Sequence, residues 1–238
     1  MPVLNTDSGD GWISSNAQSS WAAARDITSG GTPDTNDLQF NSATIAVKAG
    51  SRGGGSTYYV NRTFMYFDTS GITGTVASAT IKVKGYQFNT GSVIAVKSTA
   101  FGGDGGTALA SGDIDAIVGW TTGASAAGNV TDYSSQITSG WNNSAYNDLA
   151  STSDLRADMK NNDAVIICFM NYTYDYLNVE PSSGYWRIGF QFTNNVASRP
   201  YIEYTLAGYG NDVIGVSSAN IDGVIGVATA SIDKIIGV

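Results

Sequence analysis

The chain of 238 residues contains no histidine and one cysteine. Without an imidazole, Ser-His-Asp and Cys-His nucleophiles are excluded, together with the commonest zinc ligand. Cys168 lies in the apolar run AVIICFM, where a thiol acts as a small buried hydrophobe rather than a nucleophile, and it has no second cysteine to pair with. Hydrolysis by paired carboxylates would need two acids facing one bond. The chain has just two glutamates, Glu180 and Glu203, and Glu203 falls on a solvent-facing position of an expected strand. Aspartates sit mostly in turn contexts, such as Asp104 in GGDGG and Asp212 in GND, where they bond their own backbone. No catalytic residue is assigned, and no enzyme is expected.

Two other kinds of chemistry fit the residue types. Calcium prefers carboxylates and loop carbonyls, and DSGDG and SGDID offer Asp7, Asp10, Asp113 and Asp115. Neither has EF-hand spacing, turn chemistry explains both equally well, and structural calcium is the one cofactor the sequence accommodates. Tyr172, Tyr174 and Tyr176 follow one another at i, i+2, i+4, which on a strand places three rings on one face. Such a row, extended by Trp186, suits a subunit interface or core packing first and a glycan platform second.

A formal charge of -8, with 12 Lys plus Arg and no basic run, opposes the attraction that nonspecific nucleic-acid binding uses. No apolar run approaches the length that spans a bilayer, and no hydrophobic leader follows Met1. The expectation is a soluble chain with neither nucleic acid nor membrane as partner.

The elements that must position these groups read as strands. Charged residues are 13%, while small polar residues, glycine and aromatics are abundant, a mixture poor for helices. In TYYVNRTFMYFDTS, Thr63, Met65 and Phe67 alternate with Phe64, Tyr66 and Asp68, which predicts a strand covered on both faces. SATIKVKGY turns Ala79, Ile81 and Val83 to a core, and SVIAVKST is expected to form a hairpin with it. AVIICFMNYTYDY, SGYWRIGFQFTNN and RPYIEYTL complete the set. Residues 101–147 read as loop anchored by Trp120 and Trp141. STSDLRADMKNND reads as a short helix capped by Ser153, and SSWAAARDITSG as one helical turn. The opening MPVLNTDSGDGWISSN reads as an arm that orders on a partner. The fold class is all-β, a jelly-roll-like β-sandwich with a short C-terminal β-repeat segment. Residues 1–56 are the arm and first sandwich elements, 57–207 the sandwich, and 208–238 an assembly segment.

NRTFMYFDTSGITGTVASATIKVKGY resembles the signature of DNRLRE-type domains, extracellular sandwiches related to carbohydrate-binding modules. SRPYIEYTL is similar to the strand with which that family ends, so the likeness spans residues 57–206. The resemblance implies a noncatalytic, surface-presented sandwich and names no ligand. Read from their own chemistry, the motif residues Arg62, Asp68 and Arg199 are structural loop ties, because a guanidinium donates to several carbonyls or carboxylates together.

The chain closes on NDVIGVSSANIDGVIGVATASIDKIIGV, in which Ile-Gly-Val recurs every 11 residues at 214, 225 and 236. Glycine and β-branched residues oppose the helix that an 11-residue period permits. Short strands, VIGV and ASID, turning once per repeat fit better. So few repeats cannot stabilise a solenoid alone, so Ile214, Val216, Ile221, Ile225, Val227, Ile232, Ile236 and Val238 are expected to bury against identical tails. A homo-oligomer results, a trimer in the simplest case. The units loosely resemble terminal repeats of phage structural proteins. The functional expectation is a virion component, assembled in the host cytoplasm and displayed on the particle as head decoration, head fibre or tail fibre. Its partners are then itself and other virion proteins. The alternative is a carbohydrate-binding or adhesive module that recognises a host-surface glycan.

Overall fold

The computed structural model describes residues 1–7, 9–35, 44–52 and 55–208, and the pairing of residues 223–224 with 227–228. The fold is all-β and sandwich-like, made from one antiparallel ten-stranded sheet that bends back on itself without closing. Its strands are β1 (Val3–Asn5), β2 (Gly11–Ser14), β3 (Ile45–Arg52), β4 (Gly55–Asp68), β5 (Val76–Asn89), β6 (Ile94–Lys97), β7 (Tyr146–Ala150), β8 (Ala164–Met170), β9 (Gly184–Phe190) and β10 (Tyr201–Leu206). Two helices, α1 (Trp21–Arg25) and α2 (Ser153–Asn161), interrupt the series.

The long strand β5 forms the corner. Val76 to Lys84 run between β10 on one edge and β7 on the other, while Gly85 and Asn89 pair with β9. The register shifts between Gly85 and Asn89, and Gln87 takes a left-handed φ of 59°. A bulge of this kind bends a strand, and here it carries the chain from the layer β1-β10-β5-β7 into the layer β9-β3-β4-β8-β6. Gly85 is required there, since a Cβ on it would lie 1.9 Å from the carbonyl oxygen of Asn142.

Side chains of period two fill the space between layers. Ile81, Val83, Leu149 and Ile202 from one layer meet Met65, Phe67, Ile167, Phe169, Ile188 and Phe190 from the other. Each such side chain contributes about 1.5–3 kcal/mol on burial. The opposite faces of β4, β6 and β8 are buried as well: Phe64, Ile94, Val96, Ile166, Cys168 and Met170 pack under irregular segments. That double burial explains the unbroken apolar run AVIICFM.

Several expectations need correction. The opening residues are no free arm, since β1 pairs with β10 and β2 with β4. β5 and β6 make no hairpin; β6 pairs with β8, because β5 ends beside β9. The cap of α2 is Thr152, whose hydroxyl accepts from the Leu155 amide, one residue before the expected Ser153. Helix α1 forms as read, with Ser20 capping Ala23. In the tail, Gly223–Val224 pairs antiparallel with Val227–Ala228, so Val224 and Val227 oppose each other instead of sharing one VIGV strand.

Gly85→Ala is expected to destabilise the protein by about 1–3 kcal/mol, because the clash is with backbone. Gly71→Ala, where a Cβ meets nothing within 4 Å, stays within about 0.5 kcal/mol. Urea midpoints of the two variants check both.

Candidate functional site

Alternation along β4 puts Arg62 on the same face as Val60 and Phe64, in a row otherwise apolar. A guanidinium fully removed from water there needs an acid and further acceptors. Asp175 supplies the acid: Arg62 Nε and Nη2 donate to its two oxygens at 2.8 and 2.7 Å. The remaining donors reach the carbonyls of Ile114 and Arg25, each at 2.8 Å. Arg25, from α1, donates to the Asp175 carbonyl at 2.7 Å and to Asp26 at 2.8 Å. Both guanidinium carbons lie 4.2 Å from the Trp120 ring centroid.

Side chains of Arg25, Arg62 and Asp175 are all 0% exposed. Two cations thus face two carboxylates, and the group is neutral as a whole. Burial pushes the Arg25 pKa down more than Asp175 and Asp26 raise it. Burial also opposes the charge on Arg62, yet its two-pronged bond to Asp175 holds that pKa above the usual value. Both remain cations. The cluster joins α1, the turn Ser111–Asp115, the Trp120 loop and the turn after β8, and it is closed to a substrate. Arg62 therefore ties loops together, but Asp68 and Arg199 do not come near it. Asp68 is exposed and caps the Ser70 amide and hydroxyl. Arg199 lines a surface groove with Val3, Tyr146 and Tyr201.

The tyrosine series is not a strand face. Residues Tyr172–Tyr176 form a π-helical turn, capped by the Asn171 side chain on the Tyr174 amide. Tyr172 stacks on Tyr176 at 5.3 Å, and the Tyr176 hydroxyl donates to Asp132. Tyr174 points elsewhere and packs against Trp186 with centroids 4.2 Å apart. The four rings thus divide into two pairs, because the turn rotates alternate side chains away from one another.

Carboxylates with a proposed or conceivable metal or catalytic role are engaged locally. Asp10 is buried and accepts from the Thr193 amide and hydroxyl at 2.9 and 2.8 Å. Asp113 caps the turn at the Ala110 amide; Asp7 is exposed and Asp115 half-buried. Among the described residues, no group of three or more Asp, Glu or Cys is placed to hold a metal. Glu180 accepts from the Tyr58 hydroxyl, and Glu203 lies 3.7 Å from Lys82. Cys168 is buried, which pushes its thiol pKa up. Of the tail residues, Ile214, Val216, Ile221, Ile225, Ile232, Ile236 and Val238 lie outside the described residues.

A cleft of about 480 Å³ opens between the Lys97–Thr99 segment, Gly103–Asp104 and residues 161–164. At its side Asp158 of α2 accepts from Lys97 at 2.8 Å and Tyr133 at 2.6 Å. Sequence reasoning missed this clip and missed Arg25 and Asp175; it named Trp120 as a loop anchor but not its contact with the two guanidinium groups. The available signal was a lone arginine in an aromatic strand and a lone aspartate among tyrosines.

A scan against protein-family models finds no match, and a search of curated proteins finds none.

Arg62→Met, which leaves the buried Asp175 carboxylate and the Ile114 and Arg25 carbonyls without their Arg62 donors, is expected to lose about 3–5 kcal/mol of unfolding free energy. A loss below about 1 kcal/mol in chemical denaturation would contradict the tie. For Asp158, burial raises the pKa, but hydrogen bonds from Lys97 and Tyr133 outweigh it and hold the carboxyl below the 3.8 of a free aspartate. A folded pKa below the unfolded one stabilises above pH 3.8 and is lost as pH falls through the folded value. Asp158→Asn should therefore flatten the acid limb of stability below that pH, measured by thermal melts at stepped pH.

Proposed function

We propose that this chain is a noncatalytic structural protein that displays its β-sandwich and assembles with copies of itself through its C-terminal repeats. A phage virion is the setting this reading favours, as head decoration, head fibre or tail fibre. The observation that carries it is the tail. Three Ile-Gly-Val units follow the last sheet strand at 11-residue spacing, and the strands Gly223–Val224 and Val227–Ala228 pair over two residues each. An isolated two-stranded ribbon of that length is not stable in water. It gains stability by adding strands and burying its isoleucines and valines, and identical tails supply matching edges and faces.

The sandwich supports the display half of the reading. Its charged centre is internal, both faces of its central layer are covered, and β10 ends at Leu206, before the repeats in the sequence. The loose likeness of the repeats to those of phage structural proteins points to the particle.

Light-scattering molar mass of the full chain beside one ending at Leu206 tests the proposal. The expected result is a stable multimer that becomes monomeric on truncation. A monomer in both cases overturns self-assembly through the repeats.

A further inference from the structure

The surface of β9, β3 and β4 carries a row of cations and rings that no contact described above uses. Lys48 of β3 is in register with Tyr59 of β4 on one side and Tyr185 of β9 on the other. Its ammonium lies 5.1 Å from the Tyr59 centroid and 5.7 Å from that of Tyr185. Two residues along β9, Arg187 shares the face of Tyr185. Its guanidinium carbon is 4.5 Å from the Tyr185 centroid and 4.0 Å from that of Phe88. The row is open, since Tyr185 is 41% exposed and Lys48, Tyr59, Arg187 and Phe88 are half-buried. Its neighbours are low: Gly50 is in register with Thr57, and Ala46 with both Asn61 and Arg187.

The charges of this row are unbalanced. Arg25, Arg62, Lys82 and Lys97 each face a carboxylate within 3.7 Å. Among the described residues Lys48 and Arg187, like Lys84, Arg156, Lys160 and Arg199, make no such pair, although the chain holds 20 Asp plus Glu against 12 Lys plus Arg. The Arg187 Nε is buried and has no hydrogen-bond partner among the described residues. Two neighbouring cations with no carboxylate partner among the described residues, held over aromatic rings, complement an anion that also has an apolar face. Tyr59 and Tyr185 stand two strand spacings apart, about 10 Å, the separation of the first and third rings of a linear trisaccharide. A long polyanion such as nucleic acid would meet the net negative charge beyond the row.

We propose that this row binds a short acidic oligosaccharide, with sugar rings against Tyr185 and Tyr59 and a carboxylate or sulfate held by Lys48 and Arg187. The site is independent of assembly through the tail.

The test is titration calorimetry with ligand-observed NMR on the full chain, using trigalacturonate, 3′-sialyllactose and a heparin tetrasaccharide. Lactose and maltotriose serve as neutral counterparts, and inorganic sulfate as a bare anion. At least one acidic probe should bind with Kd at or below about 1 mM and about tenfold more tightly than its neutral counterpart. Tyr185→Ala and Lys48→Gln should each weaken it about tenfold or more, with near-UV circular dichroism unchanged. Lys84→Gln, at another aromatic contact, should leave it as it was. No binding by any acidic probe overturns the proposal, as does binding indifferent to both substitutions. Sulfate binding as tightly as the saccharide would reduce the row to an anion site. A concentration-dependent dimer lost in Tyr185→Ala would assign it to contact between copies, and either result overturns the saccharide.

Discussion

A charge on the covered face of a sheet sets the terms for everything placed over it. Arg62 projects from β4 into a region where its neighbours in the row are valine and phenylalanine, and its side chain is fully buried. Asp175 must come within hydrogen-bond distance, carbonyls of Ile114 and Arg25 must turn inward, and the Trp120 ring must lie against the guanidinium. Each of those partners arrives on a different segment. The ion pair is weak evidence for stability in its own right, since apolar residues of equal volume often do as well. Its value is directional: it specifies where irregular backbone goes when helices and strands do not.

That role matters because so much of this protein is irregular. Between β6 and β7 the chain runs without a long helix or strand, yet it covers one face of the central layer. Short-range polar bonds hold it: Ser134 to the Ala95 amide, Thr152 to the Asp132 carbonyl, Asn147 to the backbone at Asn142. The sandwich interior is the opposite kind of material, apolar and nondirectional, and tolerant of which side chain fills which space. Packing supplies most of the driving force, and the polar centre chooses among the arrangements that packing permits.

The same division leaves function to the margins. With its strongest charges sealed inside, the sandwich can interact through its outer faces and its tail. We propose a ligand for the strip across β9, β3 and β4 and copies of the chain for the C-terminal repeats.

Strand identity was legible along the chain wherever the period of two was strong. Val76–Asn89, Ala164–Met170 and Tyr201–Leu206 are strands because alternating or continuous apolar runs can bury themselves no other way. Cys168 as a core atom and Arg62 as a tie were also readable, from an apolar run in one case and a charge amid aromatics in the other. Pairing was not readable. Whether β6 lies beside β5 or β8, and whether residues 3–5 form an edge strand, depends on contacts between distant positions that no local pattern encodes. Tyr172, Tyr174 and Tyr176 show the limit most clearly: their spacing is that of a strand face, and a π-helical turn pulls the rings apart to satisfy Arg62 with Asp175 between them. The row of Lys48, Tyr59 and Tyr185 exists through register alone. Local sequence determined which segments are extended and which side chains avoid water; tertiary structure decided which of them meet, because hydrogen-bonded pairing and the burial of a charge are long-range constraints.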